Sequence, residues 1–526
     1  MRLFGGTLMA IAILLSTGAA AASFSVLPDP ETAPWASFAF DEEGQTLACN
    51  YGGRLYIWTS SGGFQALGEG NPRSGSIDIS ADGSTVCVTR ARMDDGYRNP
   101  ALWSANGGWR DLGYNLDSCV HDESWGSGFA VNRDGTQAVG LAWTCSSGQA
   151  FHWTAGGGLE LLPVPDRGSN SRATDIAADG ALIVGYHEHE KLGYRRPIWW
   201  KPGHGFSLYC GPDTRGEALA VRTGGDLVVG YHVEDQVEQA HVWSPGSGVE
   251  SLGALSGNPW DSSRATHITT DGVIYGTSTN SAWNVTEAFV WDRIGGLARL
   301  QDVLEAQGAV IPANMWLDEI LAVSDHGNRL VGSWRDARGG RGHWLAESDP
   351  LLRGRIRECL ASSDGSRLEL HFDISAAAAA RHPVLTASRE TSQWTIPLQL
   401  EPGSCRGVDP QADLMGSAEV RYELTLTENG PQQVLDRFSI RLGVPSAGEP
   451  ALPGIGLARQ EGQRELYLRM DQPRHLTLSV EGEDGRVISP LADGVFSSGL
   501  HLISWSALTS PGSPDRPGQL LHLQWR

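Results

Sequence analysis

Lysine is almost missing from this 526-residue chain: Lys191 and Lys201 are the only two, and the arginines nowhere form a basic cluster. Lys+Arg total 40 against 61 Asp+Glu, for a net charge of −21 and a pI near 5.1. Such a surface lacks the positive footprint that nucleic acid and anionic membranes require, so neither is an expected partner. Long apolar runs are missing too, since beyond the N-terminus no stretch approaches the roughly 20 apolar residues of a membrane span. Gly-x-Ser-x-Gly, His-Glu-x-x-His and Walker-type motifs are absent. The Asp-x-Asp-x-Asp-Gly spacing that gathers oxygens on calcium is absent as well. The sequence therefore announces no catalytic machinery, and no cofactor is expected.

Met1–Ala22 is the one strongly apolar segment. Arg2, the run from Leu3 to Leu15 and Ala20-Ala21-Ala22 have the order of a secretory signal with an A-x-A cleavage site. No Cys follows the run, which argues against a lipoprotein anchor. The expected product begins at Ser23 and is secreted, periplasmic or displayed at the cell surface.

What the chain has in excess is a repeat. Tryptophans stand at positions 58, 103, 153, 200, 243, 291 and 344, about 43–53 residues apart. A Gly-centred turn precedes each, as at Asp82-Gly83, Asp134-Gly135, Asp179-Gly180 and Asp271-Gly272. Gly supplies the positive φ that such turns need. Short apolar runs follow, for example Leu182-Ile183-Val184-Gly185, and a second Gly-Gly turn comes after most of the tryptophans. Four strands per unit at this period is the signature of β-propeller blades, seven here. The seventh unit lacks an outer strand after Trp344. Ser25-Val26-Leu27-Pro28 resembles the outer-strand segment Glu160-Leu161-Leu162-Pro163, so the N-terminal strand is expected to close the ring and remove an open edge.

Gln149-Ala150-Phe151-His152-Trp153, Glu287-Ala288-Phe289-Val290-Trp291 and lead-ins such as Ser171-Arg172-Ala173-Thr174-Asp175-Ile176-Ala177-Ala178-Asp179-Gly180 resemble the HAF repeat family. The last unit, with Leu300-Gln301-Asp302-Val303-Leu304 and Ala322-Val323-Ser324-Asp325-His326-Gly327, looks like that family's closing repeat. The resemblance spans about residues 24–347 and implies a propeller. The naming His is replaced here by Gln, Glu or another residue, so it carries no role.

After Pro350 the period ends. Residues 353–444 alternate apolar and polar positions, as in Arg367–Ile374, which marks half-buried strands of a β-sandwich-like domain. A linker over 445–455 precedes a unit at 456–526. Its Asp484-Gly485-Arg486 turn and Gly499-Leu500-His501-Leu502-Ile503-Ser504-Trp505 strand are similar to the immunoglobulin-like module of hook-capping proteins. The expected chain is thus all-β: signal peptide 1–22, seven-bladed propeller 23–350, then two small sandwich or immunoglobulin-like domains.

Seven cysteines are an odd number for an oxidising compartment. Cys119 and Cys145 share a face in the repeat register and form one disulfide candidate. Cys359 and Cys405 form a second. Cys49 and Cys87 read as small buried hydrophobes in equivalent strand positions, with Cys210 left over. His187 and His189 could project two imidazoles from one extended segment and are the weak metal candidates, although Tyr186-His187 recurs as Tyr231-His232 and reads first as a strand end.

The periodic tryptophans read as blade cores. Trp125, Trp143, Trp260, Trp283, Trp316 and Trp334 fall outside the period. All six read as lying in the longer loops, where a flat ring could stack on a sugar or anchor a protein, Trp125, Trp143, Trp260 and Trp283 first among them. Both tight turns of a blade lie on one face, so the longer loops gather on the other, where binding usually resides. The leading expectation is an exported, non-enzymatic binding protein with a protein or carbohydrate ligand on the long-loop face. The alternative is a secreted polysaccharide hydrolase or lyase with acids lining the channel.

Overall fold

A computed structural model describes residues 22–30, 36–70, 76–91, 97–113, 126–144, 147–165, 169–211 and 213–348, and most strand residues from 354 to 525. The chain divides into two compact units, one over 21–350 and one from 351 onward.

The first unit is a β-propeller of seven four-stranded sheets. Numbering the blades from Ala36, the innermost strands are Ala36–Phe40, Ile77–Ile79, Gly126–Val131, Ser171–Ile176, Gly216–Val221, Ser262–Ile268 and Met315–Val323. Each leads into its second strand through the Gly turn seen in the sequence. The seven turn glycines, from Gly44 to Gly327, all have φ between +68° and +81°, a region closed to most side chains.

A second glycine in each of blades 3 to 7 has a different cause. The ladder between the first two strands skips a residue at Phe129, Thr174, Leu219, Thr266 and Leu321, and in blade 7 a second at Asp318. These bulges bend the inner strand and drive a carbonyl toward its neighbour. A Cβ on Gly230 would lie 2.0 Å from the Glu217 carbonyl oxygen, and one on Gly276 2.0 Å from that of Arg264. The recurring Val-Gly of the second strands is a packing requirement.

The periodic tryptophans are less uniform than their spacing. Trp153, Trp200, Trp291 and Trp344 are buried, whereas Trp58, Trp103 and Trp243 are half-buried. Trp344 is also out of step. It pairs with Gly332, as Phe151 does with Gly140 and Phe289 with Gly276. It fills the Phe position of its blade, and Ala346 holds the Trp position. A similar shift separates two cysteines. Trp58 faces Leu47 and Trp103 faces Val86, so Cys87 corresponds to Ala48 and Cys49 to Val88. Both cysteines are fully buried.

Ser23–Leu27 pairs antiparallel with Arg341–Glu347, so the N-terminal strand completes blade 7. Apolar packing holds this seam. Leu27, Phe38, Phe40 and Tyr51 cluster with Ala322 and Val331. Asp29 Oδ1 accepts from the Tyr51 hydroxyl at 3.2 Å and lies 2.8 Å from His343 Nδ1, tying blade 1 to blade 7. The long segment between blades 6 and 7 contains a helix, Leu300–Ala306, that buries Leu300 and Leu304.

The second unit differs from the two-domain expectation. Its strands form two seven-stranded sheets, and each sheet draws on both 354–442 and 454–525. Gly354–Ser362 pairs with Gln519–Trp525, and Gln433–Leu442 runs parallel to Gly454–Gln460. Two separate sandwiches would have left those strands as open edges. Leu370 and Phe372 of one sheet pack with Leu385 and Tyr422 of the other in one core.

Candidate functional site

The seven inner strands surround a cavity of about 270 Å³. Counting five residues back from each turn glycine gives one ring position per blade: Ala39, Asp78, Ala130, Asp175, Ala220, His267 and Ala322. Polar groups alternate with alanine. Asp78 Oδ1 accepts from Ile79 N at 2.9 Å and Oδ2 from Val131 N at 2.8 Å, so it bridges blades 2 and 3. Asp175 repeats this between blades 4 and 5, accepting from Ile176 N and Val221 N, each at 2.8 Å. His267 bonds the Leu321 backbone of the next blade.

Burial pushes the Asp78 carboxyl up to about 8, Asp175 adds to the rise, and the two N–H donors oppose it. Burial likewise carries Asp175 up to about 7. Burial drops His267 to about 4. Burial thus disfavours the charged form of all three groups. They latch neighbouring blades.

At the tight-turn mouth stand Glu42, Arg133 and Asp325. Glu42 N donates to Ala81 O, Ala81 N to Arg133 O and Arg133 N to Ala178 O, and Ala178 N continues to Thr223 O. This girdle of backbone bonds fixes the rim. Glu42 is ion-paired with Arg133 and lies 3.9 Å from His326. Glu42, Glu43 and His326 could each offer one metal ligand. One of the two acids is already paired, and the trio is short of a fourth donor.

At the opposite mouth Glu217 is buried and gathers three donors. Arg172 donates at 3.0 Å and the Tyr231 hydroxyl at 2.8 Å, and Arg195 completes the set. Arg172 also lies over Phe129 and Tyr186. The network joins blades 3, 4 and 5 and is structural. Next to it His241 is wholly buried, 3.3 Å from the Tyr209 hydroxyl and 5.6 Å, ring to ring, from His232. Burial pushes it down to about 3, so it is neutral. Its sequence signal was its place in the Phe151 register.

The long-loop face carries exposed apolar groups. Trp260 is 63 % exposed and Trp283 80 %, with Leu192 and Val310 also open to solvent. Trp260 lies on the connection into blade 6 and Trp283 on the hairpin between its second and third strands. Asp261 clamps the two loops. Its Oδ1 accepts from Ser281 N at 2.8 Å and Ser281 Oγ at 2.6 Å, and its Oδ2 from Ser256 Oγ at 2.6 Å. These bonds, Ser256 first, hold its carboxyl below the usual range. Asn258 Oδ1 caps Trp260 N, and Asn280 Oδ1 caps Trp283 N.

Of the other sequence-selected residues, Trp143 ends a strand and Trp316 and Trp334 lie within strands of blade 7 rather than in loops, all three half-buried. Trp125, Cys119 and Cys145 lie outside the described residues. His187 and His189 do not converge. His187 is buried with Nδ1 taken by Arg196 at 2.8 Å, whereas His189 has left the strand, lies tilted against Tyr194 at 5.1 Å between ring centres and accepts from Lys191 N. The guanidinium thus occupies the Nδ1 side of the His187 ring. Cys359 and Cys405 form no disulfide with each other. Both face one core, but Leu368–Ile374 runs between their strands. Two interstrand spacings, roughly 9.5 Å, exceed the reach of a disulfide.

No family model matches the chain, and no curated protein does. Among solved structures it is similar to a putative TolB from Agrobacterium tumefaciens, at 16 % identity and TM-score 0.34 over 44 % of this chain and 89 % of that one. The β-propeller domain of the Trilobed protease from Pyrococcus furiosus gives 12 %, 0.40, 63 % and 97 %. An oligogalacturonate lyase from Vibrio parahaemolyticus gives 12 %, 0.39, 63 % and 98 %. The activities in those names belong to those proteins. Among the described residues no helix is long and apolar enough to cross a membrane.

Proposed function

We propose that this chain is an exported binding protein that takes its ligand on the long-loop face of the propeller. The observation that carries the reading is the pair Trp260 and Trp283, held outward by loops that Asp261 ties together. An isolated exposed Leu is ordinary. Two indoles on loops clamped by one buried carboxylate are a rigid display. The apolar run after Arg2 and Ala20-Ala21-Ala22 support export, since cleavage there frees Ser23 to begin the closing strand.

A second reading, a polysaccharide-active enzyme, draws on acids from four blades, Glu42, Asp78, Asp175 and Asp325, around one cavity. Raised carboxyl pKa values in a cleft are a mark of catalysis. Against it, both oxygens of Asp78 and Asp175 accept backbone N–H groups. The cavity is also smaller than the roughly 300–1,000 Å³ of common ligand pockets. HAF membership stays a reading of the repeat phrases.

Hydrogen exchange separates the two. The mature protein is mixed with the exported polymers and proteins of its source, and protection is mapped with and without them. Protection over residues 254–262 and 279–286 is the expected result. Protection confined to peptides around Asp78, Asp175 and His267 overturns the reading in favour of the channel.

A further inference from the structure

The chemistry of the two clamped loops narrows what they can hold, and this step rests on the long-loop reading above. Residues 254–263 read Ala-Leu-Ser-Gly-Asn-Pro-Trp-Asp-Ser-Ser, and 278–286 read Ser-Thr-Asn-Ser-Ala-Trp-Asn-Val-Thr. Neither stretch contains Lys, Arg, His or Glu. The single carboxylate, Asp261, is saturated by Ser256, Asn258 and Ser281. The two loops therefore offer two indole rings beside amides and hydroxyls, and the Arg335 guanidinium that reaches the Thr286 carbonyl is already paired with Asp318.

We infer that Trp260 and Trp283 form a stacking platform for a neutral oligosaccharide. A pyranose ring presents an apolar C–H face and a rim of hydroxyls. Flat indoles meet the first, and short amide and hydroxyl side chains meet the second. A polyanion is disfavoured twice, by the lack of a cation on either loop and by the net charge of −21. Protein interfaces, in contrast, draw on Arg at their anchors and place charges at their rims, and these loops have neither to give.

The loops are also ordered in advance. Leu255 N donates to Ser278 Oγ at 3.1 Å and Asp261 N to Asn258 O at 3.1 Å, beside the Asn258 and Asn280 caps under each Trp. From the Trp260 Cα to the Trp283 Cα the path through the Asp261–Ser281 bond is under about 20 Å, so one short glycan can touch both rings. A preformed site loses little freedom on binding. Asn284, at φ +51°, holds the turn that follows Trp283.

The test uses the mature full-length chain and a panel of neutral hexasaccharides: cellohexaose, chitohexaose, mannohexaose and xylohexaose. Polygalacturonate is the charged control. Binding is read by calorimetry and by tryptophan fluorescence for the parent, W260A, W283A and W283F. At least one neutral hexasaccharide should bind and polygalacturonate should not. W260A and W283A should each weaken binding about tenfold or more with unchanged melting temperature, and W283F should retain most of it. If no neutral hexasaccharide binds, the glycan inference falls. If one binds with equal affinity to W260A and W283A, the platform and the long-loop reading fall together. If the two Trp variants instead abolish capture of an exported protein while no glycan binds, the inference falls and the long-loop reading stands.

Discussion

Asp78 offers the sharpest test of how the ring is held. Replacing it with Asn preserves shape but exchanges one acceptor oxygen for an NH₂ group, so either Ile79 N or Val131 N faces a donor. An orphaned buried N–H costs about 1–3 kcal/mol. The parent carries the opposite burden at high pH. Its carboxyl is raised to about 8 by burial, so below pH 4 folded and unfolded chains are both protonated and the site contributes no pH dependence. As pH rises from 4 to 8 the unfolded chain releases its proton and the folded one does not, and stability falls. Above pH 8 the loss is complete. The carboxyl is only half-buried and faces the channel, so after screening by water the effect is on the order of a few kcal/mol. D78N removes this term. Melting temperatures of parent and D78N at pH 5, 7 and 9 should show a variant that is clearly less stable at pH 5 and level with the parent by pH 9. If the deficit of D78N grows with pH instead, Asp78 is an ionised latch and the role given to burial is wrong.

Two further tests address closure and packing. Deleting Ser23–Pro30 should uncover the edge of Arg341–Glu347 and lose Asp29 from the seam, lowering melting temperature or soluble yield. A truncated chain that melts and elutes like the parent would show that closure lies elsewhere. Gly276→Ala should cost about 1–3 kcal/mol or more in a chemical-denaturation midpoint, because its Cβ meets the Arg264 carbonyl at 2.0 Å. Gly246→Ala, with nothing within 4 Å, is the neutral control.

The blades were legible because their turns need glycine, and glycine recurs on schedule. The closing strand was legible from the missing outer strand of unit seven. Register within a blade was harder. Trp344 kept the period while moving two places, to pair with Gly332 as Phe151 and Phe289 pair with Gly140 and Gly276. The ring of Asp78, Asp175 and His267 sits five residues before a turn glycine in each case, a signal that appears only when strands are aligned on their turns. The second unit was divided at its Pro/Gly-rich linker. Pairing across that linker, between Gly354–Ser362 and Gln519–Trp525, joins residues far apart in the chain, and alternation alone does not name a partner strand. The exposed pair Trp260 and Trp283 was visible as tryptophan outside the period. The Asp261 clamp beneath them needed three dimensions.

Seven is odd, and the latches of the ring work in twos. Asp78 couples blade 2 to 3, Asp175 couples 4 to 5, and His267 couples 6 to 7. Pairs cannot tile an odd ring, so blade 1 has no carboxyl or imidazole latch at its ring position and is held to blade 2 by the Glu42 N–Ala81 O bond of the rim. Two alanines of the ring, Ala39 of blade 1 and Ala322 of blade 7, meet at the seam that Asp29 and the N-terminal strand bind. The propeller is then three dyads and a keystone. Its keystone is secured from outside by the end of the chain.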